Sequence, residues 1–298
     1  MHMVRARRSV LTPYLFILPG MLFFLVFMLY PLVDALYISF FDWKIMPGAI
    51  SPFIGLDNYL RAFRDAVFWI ALRNTVLYTA VTVPAQMALA MLVAVLLDAL
   101  PRGRVLYRTL YYLPVITSWV VVSLLFKYLF DSGEAGLINY VLMYVVPVIQ
   151  EPIPWLREPA TGLTAIMVLG VWKGLGWSMI IFLAALQTIP TELYEAASID
   201  GANFWRRFFR VTLPLMRPTI VFVLVMLVIG GFNVFLSVYL MTGGNPLHRT
   251  ETILTYMYNQ SFGFLEFGYG AALSYLLALI IFIISFVQIK FLRKPVEV

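Results

Sequence analysis

Residues Thr219–Met241 read TIVFVLVMLVIGGFNVFLSVYLM, an uncharged run whose one amide side chain is Asn233. Coiled as a helix at about 1.5 Å per residue, such a run is long enough to cross roughly 30 Å of hydrocarbon. Its apolar residues are continuous rather than alternating, which selects a helix over a barrel strand. Five further runs read the same way: Tyr14–Phe40, Thr75–Leu97, Leu110–Phe130, Leu163–Gln187 and Tyr269–Ile289. The expected fold is an all-α membrane protein with six transmembrane helices. Composition agrees, with 62% apolar and 12% charged residues, against about 25% charged in soluble domains. Arg5, Arg7 and Arg8 before the first run resemble the start of a signal peptide. The apolar stretch is too long for one, and no small-residue cleavage site follows, so it reads as a retained span.

The distribution of basic residues sets the expected orientation. The N-terminus (Arg5, Arg7, Arg8), the second connection (Arg102, Arg104, Arg108), the fourth (Arg206, Arg207, Arg210, Arg217) and the C-terminus (Lys290, Arg293, Lys294) form one set. The opposite side has fewer: Lys44, Arg61, Arg64, Arg73, Arg157 and Arg249. Lysine and arginine near spans stay cytoplasmic, so both termini are expected inside, and the net charge of +6 is a topology signal rather than a nucleic-acid footprint. The two long outer connections are residues 41–74, with an amphipathic stretch near Asn58–Phe68, and the proline-rich 131–162. No internal repeat is visible, and residues 1–298 read as one transmembrane domain. There is no cysteine, and the two histidines, His2 and His248, are far apart, which argues against a metal site. Intramembrane enzyme motifs such as H-E-x-x-H and G-x-S-x-G are missing. An ion-coupled carrier needs ionisable groups in mid-membrane, and the only carboxylate in a span is Asp34, near its end.

The connection over residues 188–218 carries most information. Pro190 is expected to stop the preceding span and Thr191 to cap a short helix through its hydroxyl. The segment Glu195-Ala196-Ala197-Ser198-Ile199-Asp200-Gly201-Ala202 follows, then Phe208, Leu213-Pro214 and Pro218. Gly201 is suited to end the helix in a left-handed conformation. Ala196 and Ala197 make a shallow face for close approach by another protein, Glu195 and Asp200 supply charges to fix register, and the arginines beyond suit anionic lipid. The alternative is a solvated linker containing a short helix.

Glu195-Ala196-Ala197, then Asp200-Gly201 and Leu213-Pro214, resembles the signature of ATP-binding-cassette importer permeases, in the carbohydrate-uptake branch of MalF- and UgpA-like subunits. Pro13-Tyr14 to Pro19-Gly20, Gly55-Leu56-Asp57-Asn58-Tyr59, Asn74-Thr75, Leu113-Pro114 and Trp155-Leu156 extend the likeness over nearly the whole chain. The resemblance implies a type I importer permease fold, in which residues near 191–201 form a cytoplasmic coupling helix. It assigns contact with an ATPase to Glu195, Ala196, Ala197, Asp200 and Gly201. It implies a second, MalG-like permease, two copies of an ATP-binding subunit, and an extracytoplasmic solute-binding protein. It also implies a place in a bacterial or archaeal cytoplasmic membrane, and a sugar as cargo, with glycerol 3-phosphate or another polyol derivative as the alternative. The chain has no G-x-x-x-x-G-K-[ST] loop, so ATP and Mg²⁺ are expected on the partner and no cofactor here.

Polar groups and glycines inside spans mark candidate positions on a solute path. Gly174 and Trp177 in the fourth span, and Phe232 and Asn233 in the fifth, match positions where the resemblance implies sugar contact. Gln86 in the second span and Tyr239 complete the set. Each has a bland counterpart: a helix–helix hydrogen bond for Asn233, an aromatic belt for Tyr239. For Lys173, pairing with a backbone carbonyl or snorkelling stands against attraction of an anionic sugar.

Overall fold

The structure, a computed structural model, describes residues 11–46 and 48–292. Arg5, Arg7, Arg8, Pro47, Arg293 and Lys294, which entered the reading of topology and loops, lie outside the described residues. In chain order the helices are α1 (Leu11–Phe24), α2 (Tyr30–Ile38), α3 (Asp57–Arg64), α4 (Ala66–Ala99), α5 (Arg104–Ile116), α6 (Trp119–Leu129), α7 (Leu137–Tyr140), α8 (Pro159–Leu186), α9 (Thr191–Ile199), α10 (Phe204–Arg207), α11 (Leu213–Phe232), α12 (Leu236–Met241), α13 (Ile253–Tyr258) and α14 (Phe267–Leu292). Among the described residues the only extended pairing is an isolated bridge between Phe41 and Phe53. Five helical stretches are long and apolar enough to cross a membrane, and a sixth is reached if a bent pair counts as one span.

The chain groups into two compact units. The smaller comprises the described residues up to Arg64 together with Asn259–Tyr275. Its first helical stretch, Pro13–Ile38, runs through a π-helical turn at Leu25–Leu29 and buries none of its most apolar window. Its apolar surface is therefore left for lipid or another subunit. The amphipathic stretch near Asn58–Phe68 is helical as α3 only to Arg64, because Asp65 takes an N-cap position and accepts from the Val67 N–H at 2.8 Å. That cap opens α4 at Ala66, well before the expected Thr75. Asn58 holds the hairpin that precedes α3, donating to the carbonyls of Ser39 and Phe41 at 2.9 and 3.0 Å.

The larger unit, Asp65–Tyr258 with the described residues from Leu276 to Leu292, is built about α8, the candidate span with the largest buried share. Gly170 and Gly176 explain why. A Cβ at Gly170 would lie 2.1 Å from the Tyr78 hydroxyl of α4, and one at Gly176 would lie 2.1 Å from the Tyr111 carbonyl of α5. Small residues let neighbouring helices approach closely in lipid, where packing rather than water expulsion drives association.

Leu110–Phe130, expected as one span, is the pair α5 and α6, bent by 93°. Pro114 cannot donate a backbone N–H, and Thr117 and Ser118 are extended, with ψ of 149° and 135°. A window of hydropathy averages over such a break. The fifth span likewise breaks after Phe232 and resumes at Leu236.

The proline-rich connection before α8 is tied by one amide. Asn139 is fully buried; its Nδ2 donates to the carbonyls of Asp131, Gly133 and Ile153, and its Oδ1 accepts from Ile153 N–H and Trp155 Nε1. Each buried group orphaned by truncation costs about 1–3 kcal/mol. Asn139→Leu should therefore loosen residues 131–158, seen as faster limited proteolysis there with the apolar spans still protected.

Candidate functional site

A cavity of about 300 Å³ opens inside the larger unit. Tyr78, Thr82 and Gln86 of α4 form one wall, Lys173, Gly174 and Trp177 of α8 another, and Trp119 of α6 and Gly230 of α11 close it. The expected path residues Gln86, Gly174 and Trp177 are thus brought together. Their grouping has a local cause. Gln86 donates from Nε2 to Ser178 Oγ at 2.9 Å. A Cβ at position 174 would lie 2.5 Å from the Gln86 Oε1. Gly174 is the vacancy that admits the amide, rather than a weak point in the helix.

The other three expected path residues are placed elsewhere. Phe232 is buried in the core, 3% exposed, and lines no part of this cavity. Asn233 is exposed at the end of α11, where its Nδ2 donates to the Ile229 carbonyl at 2.8 Å. It closes the helix end within its own chain, while Thr252 Oγ1 donates to the Val234 carbonyl across the break at 3.1 Å. Tyr239 packs in an aromatic cluster, its ring centroid 5.3 Å from both Phe235 and Tyr258.

Lys173 is the wall residue with the most specific surroundings. It is 3% exposed, and its Nζ donates to the carbonyls of Pro114 and Thr117, each at 2.8 Å. The ammonium also lies 4.8 Å from the centroid of the Trp119 ring, within cation–π reach. The carbonyls are available because the chain turns away at Thr117, leaving the end of α5 without its next helical turn. A cation at a helix C-terminus meets the negative end of the helix dipole. The bland expectation for Lys173, pairing with backbone carbonyls, matches this geometry. Its partners were not identifiable from sequence, although Pro114 close before Thr117-Ser118 in an apolar run is a break signal.

A second candidate surface is α9. No residue of it is buried. Tyr194 Oη lies 3.0 Å from Thr212 Oγ1, and Arg207 donates to Ser198 Oγ at 3.1 Å, so one side is fastened to the chain that follows. Glu195, Ala196 and Asp200 are exposed, and Ala197 is half-buried. Ile199 is 87% exposed. The helix ends in a paired turn: Gly201 N–H bonds the Ser198 carbonyl at 3.0 Å and Ala202 N–H the Ala197 carbonyl at 2.9 Å, with Gly201 at φ +73°. This is the glycine-terminated geometry in which an L side chain is disfavoured. The start differs from expectation. Thr191 is the first helical residue and Pro190 takes the cap position, with no side-chain cap bond. The preceding span already ends at Leu186, and residues 187–189 turn on carbonyls of its last residues.

Long apolar helices around an internal cavity whose mostly apolar wall carries a few polar side chains, with an unburied helix between two of them, define a multi-pass membrane protein of transport type. Residues 87–294 match the family described as binding-protein-dependent transport system inner membrane component, and the chain belongs to that family. It is 37% identical over 286 residues to the lactose transport system permease protein LacF of Rhizobium radiobacter, covering 94% of each chain. It is 36% identical over 280 residues to the arabinooligosaccharides transport system permease protein AraP of Bacillus subtilis, covering 93% of this chain and 87% of the relative. Its fold matches a chain of a bacterial ABC transporter involved in the import of the acidic polysaccharide alginate, with a TM-score of 0.81, 25% identity and 96% of both chains covered.

The fit of Gly174 to Gln86 can be measured as a coupling. Gly174→Ala should cost about 1–2 kcal/mol in thermal stability with Gln86 present, through overpacking and loss of the Ser178 bond. The cost should largely vanish in a Gln86→Ala background, as a double-mutant cycle reads directly.

Proposed function

We propose that this chain is a permease subunit of a binding-protein-dependent ABC importer for a sugar, with both termini in the cytoplasm and α9 as the helix that seats in a separate ATPase subunit. The observation that carries this reading is α9 itself. A helix with no buried residue, presenting Ile199 at 87% exposure beside exposed Glu195 and Asp200, is too polar around its apolar tip to lie in lipid. Covering one such isoleucine returns about 1.5–3 kcal/mol, and the flanking carboxylates give a partner its register. The basic residues on the same side of the expected topology, Arg206, Arg207 and Arg210, support the cytoplasmic assignment.

In this reading the importer pairs the chain with a second permease, two ATP-binding subunits and an extracytoplasmic binding protein, and ATP drives alternation between inward and outward states. ATP and the loaded binding protein must each bind the outward state better, or neither could drive the change. ATP hydrolysis then belongs to the partner, and the chain acts without a cofactor of its own. The lactose and arabinooligosaccharide systems of the relatives support a mono-, di- or oligosaccharide as cargo. The cavity suits such a solute, because the Trp119 and Trp177 rings offer flat faces and Gln86 a polar edge. A glycerol 3-phosphate reading is less well supported, because the cation on the wall, Lys173, already serves two carbonyls.

Gly201→Pro tests the assignment of α9. Proline fixes φ near −65° and has no N–H, whereas Gly201 stands at +73° and donates to Ser198. The strain and lost bond together come to roughly 2 kcal/mol, more than a tenfold shift away from the seated geometry. ATP-driven sugar uptake in proteoliposomes should fall accordingly while the subunits still copurify. Uptake at the wild-type level would remove α9 from the drive train.

A further inference from the structure

We infer that Lys173 is a positioning residue that fastens α8 to the bend between α5 and α6, so that displacement of α8 is carried into the cavity wall. This rests on the importer reading for its biological role, though not for the contact itself.

Three observations converge. First, the contact is complete at both ends. Among the described residues no carboxylate pairs with Lys173, and its donors go to Pro114 and Thr117 carbonyls on a segment 59 and 56 residues away in sequence. Inside an apolar bundle an ammonium needs oxygen partners, and carbonyls at a broken helix end need donors. Each requires the other. Second, the bend is not held by local sequence alone. Thr117 Oγ1 also donates to the Pro114 carbonyl at 2.6 Å, but Ser118 makes no side-chain cap for α6. The bond that ties the corner to another helix is the lysine. Third, Lys173 lies on the same unbroken helix that leads to α9. From Lys173 to Leu186 is roughly 20 Å of rigid helix at 1.5 Å per residue. Only a hydrogen-bonded turn separates that end from Thr191. Adjacent Gly174 receives Gln86, and Gly176 lies against the Tyr111 carbonyl. A shift of α8 along or about its axis must therefore either drag the end of α5 with it or break two charge-assisted bonds. Trp119, on the far arm of the bend, lines the cavity and faces the same ammonium. The bend thus re-aims a cavity wall when α8 moves.

The test uses the assembled importer, with cysteines of the partner subunits replaced. The chain itself has none. Nitroxide labels at Leu110→Cys on α5 and Val121→Cys on α6, both exposed, report the bend by pulsed electron resonance, without nucleotide and after trapping with ATP and vanadate. In the wild type and in Lys173→Arg the label distance should differ between the two states. In Lys173→Met the distribution should be the same in both states and broader. ATP-driven uptake of radiolabelled lactose or arabinotriose per ATP hydrolysed should fall at least about tenfold in Lys173→Met, from loss of two charge-assisted bonds, and return with arginine. A Lys173→Met complex whose label distances follow nucleotide like wild type would overturn the inference. So would a wild-type bend that does not respond to nucleotide, or an arginine variant that fails to restore it. If the methionine variant does not assemble, Lys173→Gln, which keeps a neutral donor, is judged by the same distances. A wild-type complex that imports neither sugar counts against the sugar reading alone, since the label distances still decide the latch.

Discussion

In hydrocarbon no water is available to bond a stray N–H or C=O, so each polar group must find its partner within the protein. Many polar groups of the larger unit meet this constraint within the chain, while the hydroxyls of Ser123 and Ser237 are buried without a partner. The hydroxyls of Thr75, Thr79 and Thr82 fold back onto carbonyls of their own helix, four residues earlier, at 2.7–2.8 Å. The carbonyl of Val234, released where α11 and α12 separate, is met by Thr252. Carbonyls at the end of α5 are met by Lys173. A break in a span is permitted only where such a partner is at hand, and the breaks here fall at those places.

That rule also explains which features were legible in the sequence. The apolar runs announced the helices because continuous hydropathy is what lipid demands, and Gly201 announced its turn because only glycine enters φ +73° without strain. Pro114 signalled a break, but the sharp turn at Thr117 was hidden, since a hydropathy window records what a segment dissolves in and not where it points. Asn139 gave no sign of its five bonds, because its partners are backbone groups and an indole scattered over residues 131–155. Asn74 was noted only as part of a resemblance. In the structure its Nδ2 donates to the carbonyls of Arg249 and Glu251, across 175 and 177 residues. Long-range partners of this kind have no periodicity to read.

The candidate site divided along the same line. Gln86 was suspect as a polar group inside a span and Gly174 and Trp177 through the resemblance, and α4 and α8 bring the three together because the glycine admits the amide. Phe232 and Asn233 were suspect by the same logic, yet the helix end at Phe232 sends the first inward and leaves the second exposed. Adjacent residues in a helix differ by about 100° in direction, so a pair singled out together need not face one cavity. Lys173 shows the reverse: a residue whose unremarkable explanation, carbonyl pairing, turns out to place it at the corner where α5, α6 and α8 meet.

Exposure separates what this chain completes from what it leaves open. The first helical stretch buries none of its most apolar window, as suits lipid or an apolar partner surface. Ile199 is exposed among carboxylates, which suits a soluble partner and not lipid. Asn233 is a third case. It is an exposed amide beside an irregular stretch of backbone, set within an apolar run that ends at Met241. Irregular backbone at membrane depth is stable against protein or against a water-filled cavity, but not against lipid tails. The face that carries Asn233 therefore requires cover that the larger unit does not itself supply. In the importer proposed above, that cover falls to the second permease and to a wet passage between the two.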